Sequence, residues 1–139
     1  MKLSLIQRTL SCGALAFVLA ACSGTQSHHL AGTAKAPGAD AHLEVEPESA
    51  GNNLLRLEVA NLLPPNRVDE SATTYAVWLE PAERAAVHVG NLKYDKKERS
   101  GELATSTPHK LFKLTVTAEV ERTPERPSGD VVLSQDVDL

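Results

Sequence analysis

Cysteine and methionine are almost absent from this sequence. Its two cysteines are Cys12 and Cys22, and its one methionine is Met1. The chain after residue 22 therefore offers no thiol for catalysis, no disulfide and no cysteine ligand for zinc or an iron–sulfur cluster. A blue-copper site is excluded too, because it requires a cysteine and usually an axial methionine. We expect the fold to depend on its apolar core alone.

Basic charge and long hydrophobic runs are also scarce. The chain has 14 basic and 18 acidic residues, a formal net charge of −4. Nucleic-acid binding needs a basic face that neutralises phosphates, so we predict no nucleic-acid partner. The longest apolar run, residues 12–21, is far shorter than the roughly 20 residues that span a bilayer as a helix.

Residues 1–22 have the organisation of an export signal. A basic start with Lys2 and Arg8 precedes the apolar run, which ends on small residues before Cys22. The sequence Leu-Ala-Ala-Cys at residues 19–22 resembles the end of a bacterial lipoprotein signal. The resemblance implies cleavage after residue 21, acylation of Cys22 and a membrane anchor in the cell envelope. The alternative is an ordinary secretory signal with a chance cysteine.

The predicted mature chain has 118 residues, enough for one domain but not for two. Because Ser23 rather than aspartate follows the cysteine, we expect the outer membrane, facing the periplasm, rather than the inner membrane. Residues 23–40 are small and polar, without a period of 2 or 3.6. Segment 22–40 is therefore predicted to be the lipidated cysteine and a flexible tether.

Residues 41–139 show the pattern of strands. Apolar residues alternate with polar ones at 43–46, 55–59 and most clearly 112–121, and turn residues separate these segments. In the last of them, the residues at every second position from Phe112 to Val120 are predicted to face the core, and Thr117 and Glu119 to face water.

Segment 73–80 is apolar almost throughout, as in a central strand covered on both sides. Weaker strands are expected near 87–92, 102–106 and 131–133. About seven short strands predict a single all-β, immunoglobulin-like antiparallel β-sandwich.

Three segments in this order carry a family resemblance: Tyr75-Ala76-Val77-Trp78, Gly90-Asn91-Leu92, and residues 112–119 with the following Pro-Ser-Gly turn at 127–129. Together they resemble the extracytoplasmic C-terminal domain of anti-sigma-K-type anti-sigma factors. The resemblance covers about half of the predicted mature chain and implies an immunoglobulin-like domain outside the cytoplasm. The family's sigma-binding domain and transmembrane helix have no counterpart here, so sigma-factor binding is not carried over.

Sites for metals and catalysis are not indicated. Five histidines are present, but His28 and His29 fall in the predicted tether and the other three are scattered. We therefore predict no metal and no cofactor. Neither a Gly-x-Ser-x-Gly elbow nor a His-Glu-x-x-His pattern occurs, so we predict that the protein is not an enzyme and has no catalytic residues.

The aromatic residues Tyr75 and Trp78 lie on one predicted strand, with side chains on opposite sides. Trp78 is expected in the core between the sheets, and Tyr75 is a candidate for an exposed contact. Two connections, residues 64–71 and 93–99, are the candidate partner-binding loops. The residues proposed for binding are Arg67, Asp69, Tyr94, Lys96 and Lys97.

These observations predict a membrane-anchored envelope protein that acts as a non-enzymatic binding or structural module, with an envelope protein as its expected partner. One alternative is an accessory sensor or regulator in an envelope-stress or sigma/anti-sigma pathway. Another is a small hydrolase, which would need a histidine in contact with a serine or carboxylate.

Overall fold

The computed structural model describes residues 24–139, so the predicted signal peptide and Cys22 lie outside the described residues. Within residues 24–139, segments of alternating apolar and polar residues form paired strands, accompanied by one short α-helix and one turn of 3-10 helix at Ser49–Gly51. The elements are β1 (Gln26–Ala31), β2 (Asp40–Pro47), β3 (Asn53–Ala60), α1 (Pro65–Val68), β4 (Thr74–Pro81), β5 (Val87–Asn91), β6 (Lys93–Asp95), β7 (Ser100–Thr107), β8 (Leu111–Glu119) and β9 (Asp130–Asp138).

The strands form two antiparallel sheets. One has the order β1-β2-β3-β7-β6, and the other has the order β5-β4-β8-β9. Without β1, these orders are those of the A-B-E-D sheet and the C′-C-F-G sheet of an immunoglobulin-like domain. The predicted all-β immunoglobulin-like sandwich is confirmed. Within residues 24–139 it has nine strands rather than seven, because β1 adds to one edge and Lys93–Asp95 forms a short strand of its own.

The predicted flexible tether is wrong over most of its length. Residues 26–31 form β1, which pairs with β2 from Gln26↔Val45 to Ala31↔Asp40. The following turn is closed by a hydrogen bond from the Gly32 N–H to the Ala39 carbonyl (2.7 Å). Leu30, Ala36 and Ala39 are buried in the core. This small and polar segment is ordered because the edge of β2 supplies hydrogen bonds that its composition does not reveal.

The core lies between the two sheets and is filled by one face of each strand. Leu43, Leu57, Tyr75, Leu114 and Leu133 are among its members, and all are 2% exposed or less. The predicted phase of β8 is confirmed from Phe112 to Ala118, which are buried at every second position. It is wrong at Val120, which lies beyond the strand and is 57% exposed.

Antiparallel pairing gives the sandwich two distinct ends. The loop end carries the connections at 32–39, 61–73, 96–99 and 120–129. The entry end carries the chain leading into β1, the connections at 48–52, 82–86 and 108–110, and Leu139. Within residues 24–139, no helix has the length and apolar character needed to cross a bilayer.

Candidate functional site

The two predicted binding loops meet at the loop end. Residues 64–66 and 70–73 of the β3–β4 loop line one side of a shallow depression of about 420 Å³, and Tyr94 and Lys96 line the other. The loops are joined at their bases, where the Leu62 N–H donates to the Arg99 carbonyl (2.8 Å). Segments 30 residues apart in sequence therefore form one continuous surface.

At the bases of the two loops the backbone adopts a left-handed conformation, which is unfavourable for residues other than glycine. Asn61 and Arg99 both have positive φ, at 55° and 52°. The Arg99 guanidinium donates to the Asn61 carbonyl (3.4 Å), which adds a second link between the two residues. A left-handed conformation costs a non-glycine residue roughly 1–2 kcal/mol, so packing and these hydrogen bonds must maintain both turns.

Two tyrosines support the β3–β4 loop from below. The Tyr75 hydroxyl donates to the Leu63 carbonyl (2.5 Å), and the Tyr94 hydroxyl donates to the Leu62 carbonyl (2.9 Å). Their rings pack edge to face with centroids 5.7 Å apart. Burial raises the pKa of Tyr75 well above its ordinary value.

These positions correct two expectations. Tyr75 is fully buried rather than an exposed contact. Tyr94 lies half-buried in β6, not in a loop, and its hydroxyl is already used. Both tyrosines therefore position the loops rather than present a free side chain to a partner.

Asp69 also shapes the loop. Its carboxylate accepts hydrogen bonds from the Ser71 hydroxyl (2.6 Å) and the Ser71 N–H (2.8 Å), and these bonds lower its pKa. Arg67, Lys96 and Lys97 are exposed, and no ion pair within residues 24–139 involves them. Of the five predicted binding residues, these three cations are the ones available to a partner.

The β8–β9 loop, residues 120–129, completes the loop end, and the buried Glu119 carboxylate fixes it. Glu119 is 1% exposed and accepts hydrogen bonds from the Ser128 hydroxyl (2.6 Å), the Ser128 N–H (2.9 Å) and the Gly129 N–H (3.0 Å). The Thr117 hydroxyl donates a fourth (2.7 Å). Burial alone would raise the pKa of Glu119, but these donors outweigh it and hold the pKa below the ordinary value of 4.5.

Thr117 and Glu119 were expected in water, and this prediction is wrong: the β8–β9 loop hydrogen-bonds to Glu119, and the Thr117 hydroxyl lies between Glu119 and the Trp78 indole. Gly129 permits this close approach. A Cβ atom at position 129 would lie 1.7 Å from the Ala118 carbonyl oxygen. In the sequence, the Pro-Ser-Gly turn at 127–129 predicts a bend of the chain. It does not indicate that the bend encloses the Glu119 carboxylate.

Trp78 belongs to the same buried network. Its indole N–H donates to the Thr117 hydroxyl (2.8 Å), and its ring lies 5.1 Å from that of His88. Trp78 is fully buried, but it stands on the outer face of the β5-β4-β8-β9 sheet and is not part of the core cluster. The two aromatic residues of β4 do face opposite sides, with Tyr75 inside and Trp78 outside.

The histidines do not form a catalytic arrangement in the described part of the chain. His88 Nε2 lies 3.1 Å from the Asn91 side-chain oxygen. No histidine ring in residues 24–139 hydrogen-bonds to a serine or a carboxylate. In the same range, no three His, Cys, Asp or Glu side chains are grouped as metal ligands.

Comparison with known proteins gives no relative. No family model, no curated protein and no solved structure matches the chain.

Proposed function

We propose that this chain is a lipid-anchored cell-envelope protein whose sandwich is a non-enzymatic binding module that recognises an envelope protein through its loop end. The observation that carries the proposal is the placement of this surface. The three connections at 61–73, 96–99 and 120–129 lie together at the end opposite to the one where the chain enters β1. Recognition commonly resides on loops held by a rigid scaffold.

The start of β1 supports an oriented attachment. Three residues, 23–25, separate Cys22 from Gln26, and they reach about 10 Å when fully extended. A lipid on Cys22 would therefore hold the entry end near the membrane surface. An eight-residue strand is about 26 Å long, so the loop end would project away from that surface. Outer-membrane attachment facing the periplasm remains our proposal for the location.

The chemistry of the loop end suits a protein partner with acidic and apolar groups. Arg67, Lys96 and Lys97 supply cations on one side. Val120, 57% exposed at the start of the β8–β9 loop, supplies an apolar contact. The hydrogen bonds of Asp69, Tyr75, Tyr94 and Glu119 hold this surface in place before binding, which lowers the entropy cost of association.

Charge reversal at Arg67 and Lys96 is expected to weaken the partner complex. A photo-crosslinking residue at Asn66, beside these cations, should trap a discrete envelope protein in intact cells. Arg67→Glu with Lys96→Glu should reduce that product several-fold, because like charges would then face the partner's acidic groups.

The matched control places the crosslinker at Glu83, in the exposed turn at the entry end, where we expect no such product. His109→Ala, also at the entry end, should leave crosslinking from Asn66 unchanged. Equal crosslinking from both ends, or no effect of the charge reversals, would contradict the proposed surface.

Lipid attachment is expected to depend on Cys22. Metabolic labelling with a fatty-acid analogue should mark the wild-type protein, whereas Cys22→Ala should lose all of the label because the acylated thiol is missing. Labelling of the variant at the wild-type level would show that the anchor assignment is wrong. The crosslinking experiment tests the recognition surface separately.

A further inference from the structure

Two large apolar side chains are exposed at the entry end of the sandwich. Val87, the first residue of β5, is 56% exposed, and Leu111, the first residue of β8, is 53% exposed. The exposed Ala82 and Ala85 lie in the connection between β4 and β5. The Ala82 N–H donates to the Leu111 carbonyl (3.4 Å), which places this connection beside the start of β8. The entry end therefore presents apolar groups to its surroundings.

The described chain begins next to these residues. Gly24 borders a depression of about 600 Å³ that is also lined by Lys110 and Leu139. The Leu139 N–H donates to the carbonyl of Lys110 (3.0 Å), the residue directly before Leu111. Cys22 is two residues before Gly24, a span of no more than about 7 Å. An acyl group on Cys22 would therefore enter a membrane close to Leu111.

The charges around these apolar groups are of both signs. In the strand pairing, Leu111 lies opposite Asp138, and Lys113 lies between Glu80 and Asp136. The connections at this end add Glu48, Glu83, Arg84 and Lys110. Since carboxylates outnumber cations, attraction to anionic headgroups does not favour contact with a membrane. Burial of apolar area does, and it fits a surface of zwitterionic lipids.

We propose that the entry end docks on the bilayer, with Val87 and Leu111 inserted at the level of the headgroups and upper acyl chains. This inference rests on the proposed acylation of Cys22 and adds a fixed orientation of the domain to it. The lipid anchor holds the two side chains at a high effective concentration beside the membrane, so a small apolar area is enough for contact. Docking at a second point would keep the loop end directed away from the membrane.

The test uses the full-length lipidated protein in vesicles of phosphatidylcholine and phosphatidylethanolamine, with a nitroxide quencher on the acyl chains of some lipids. With Cys22 acylated and Cys12 removed with the signal peptide, Val87→Cys and Leu111→Cys each carry one reactive thiol for a fluorescent label. We expect the nitroxide to quench both labels several-fold more strongly than a label on Val120→Cys. Val120 is the matched control because it is 57% exposed at the loop end.

A charge substitution separates insertion from mere proximity to the lipid. Val87→Glu should reduce the quenching of a label on Leu111→Cys several-fold, because a carboxylate opposes burial in an apolar layer. Val120→Glu should leave that quenching unchanged. Both substituted side chains are exposed, so neither change is expected to disturb folding.

The outcomes distinguish the anchor from the docking. Failure of the wild-type protein to sediment with the vesicles would contradict acylation of Cys22, and the docking with it. If the protein sediments but the labels at positions 87 and 111 are quenched no more than the label at 120, the anchor stands and the docking is overturned. Quenching at position 111 that is insensitive to Val87→Glu would overturn it as well.

Discussion

Replacing Glu119 by alanine is expected to destabilise the protein by about 3–4 kcal/mol. The carboxylate is 1% exposed and accepts hydrogen bonds from Thr117, Ser128 and Gly129. Its removal leaves the buried Thr117 hydroxyl without its acceptor, which costs roughly 1–3 kcal/mol, and it removes the hydrogen bonds from Ser128 and the Gly129 N–H that attach the β8–β9 loop to the sheet. Urea denaturation of the purified variant measures the loss.

Glu121→Ala is the matched control, because Glu121 is an exposed glutamate two residues later. Its effect should be about 0.5 kcal/mol or less. Equal losses for the two variants would show that the buried carboxylate does not hold the loop. A β8–β9 loop freed by Glu119→Ala should also become the first site of proteolysis, since the loop is then no longer attached to its sheet.

The same carboxylate predicts a pH dependence with a definite sign. The pKa of Glu119 in the folded protein lies below the ordinary value of 4.5 that applies to the unfolded chain. The charged form is therefore favoured by folding, and its contribution is fully present above pH 4.5. It is lost as the pH falls from 4.5 through the lower, folded-state pKa.

Glu119→Gln serves to isolate this contribution, because it has no carboxyl to titrate. The difference in unfolding free energy between the wild type and Glu119→Gln should be constant above about pH 5.5 and should shrink below 4.5. A difference that stays the same between pH 7 and pH 3 would contradict the assigned pKa shift.

Leu114→Ala is expected to lower the free energy of unfolding by about 2–5 kcal/mol, the range found when truncation of a buried leucine leaves a cavity. Leu114 is 1% exposed and lies opposite Leu79 in the β4–β8 pairing. Neighbouring core side chains belong to paired strands and have little freedom to fill the space. The loss should appear as a lower midpoint in urea with an unchanged slope.

Thr115→Ala provides the comparison on the adjacent residue. Thr115 is half-buried on the outer face of the sheet, and its hydroxyl has no hydrogen-bond partner within residues 24–139. We expect a change of about 0.5 kcal/mol or less. If the two truncations cost the same, the assignment of β8's inner and outer faces would be wrong.

The face of β4 that carries each aromatic residue could not be predicted. This strand is buried on both sides, from Thr74 through Leu79, so alternation gives no phase. Trp78 is buried on the outer face, where its indole N–H donates to the Thr117 hydroxyl of β8 and its ring packs against His88 of β5, whereas the Tyr75 hydroxyl on the inner face reaches the carbonyl of Leu63. Both reasons involve contacts between distant segments.

The predicted loop 64–71 lies within the connection 61–73, but only residues 96–99 of the predicted loop 93–99 form a connection, because 93–95 belong to strand β6. The prolines and charges at 64–71 and the mixed charges at 93–99 predicted exposed connections, but they did not indicate the roles of the side chains. Whether a polar side chain in such a loop is free or already hydrogen-bonded depends on which residues lie beside it in the folded protein. Asp69 and Tyr94 therefore hold the loops, whereas Arg67, Lys96 and Lys97 remain available.

The sequence by itself determined the all-β class, most of the strands and the inner face of β8, because period-2 alternation is a local property of the chain. Tertiary structure alone decided that β1 is ordered, that Glu119 is buried and that His29 faces His42. Each of these depends on pairing or covering by a segment distant in sequence, which supplies hydrogen bonds or excludes water in a way that local composition does not encode.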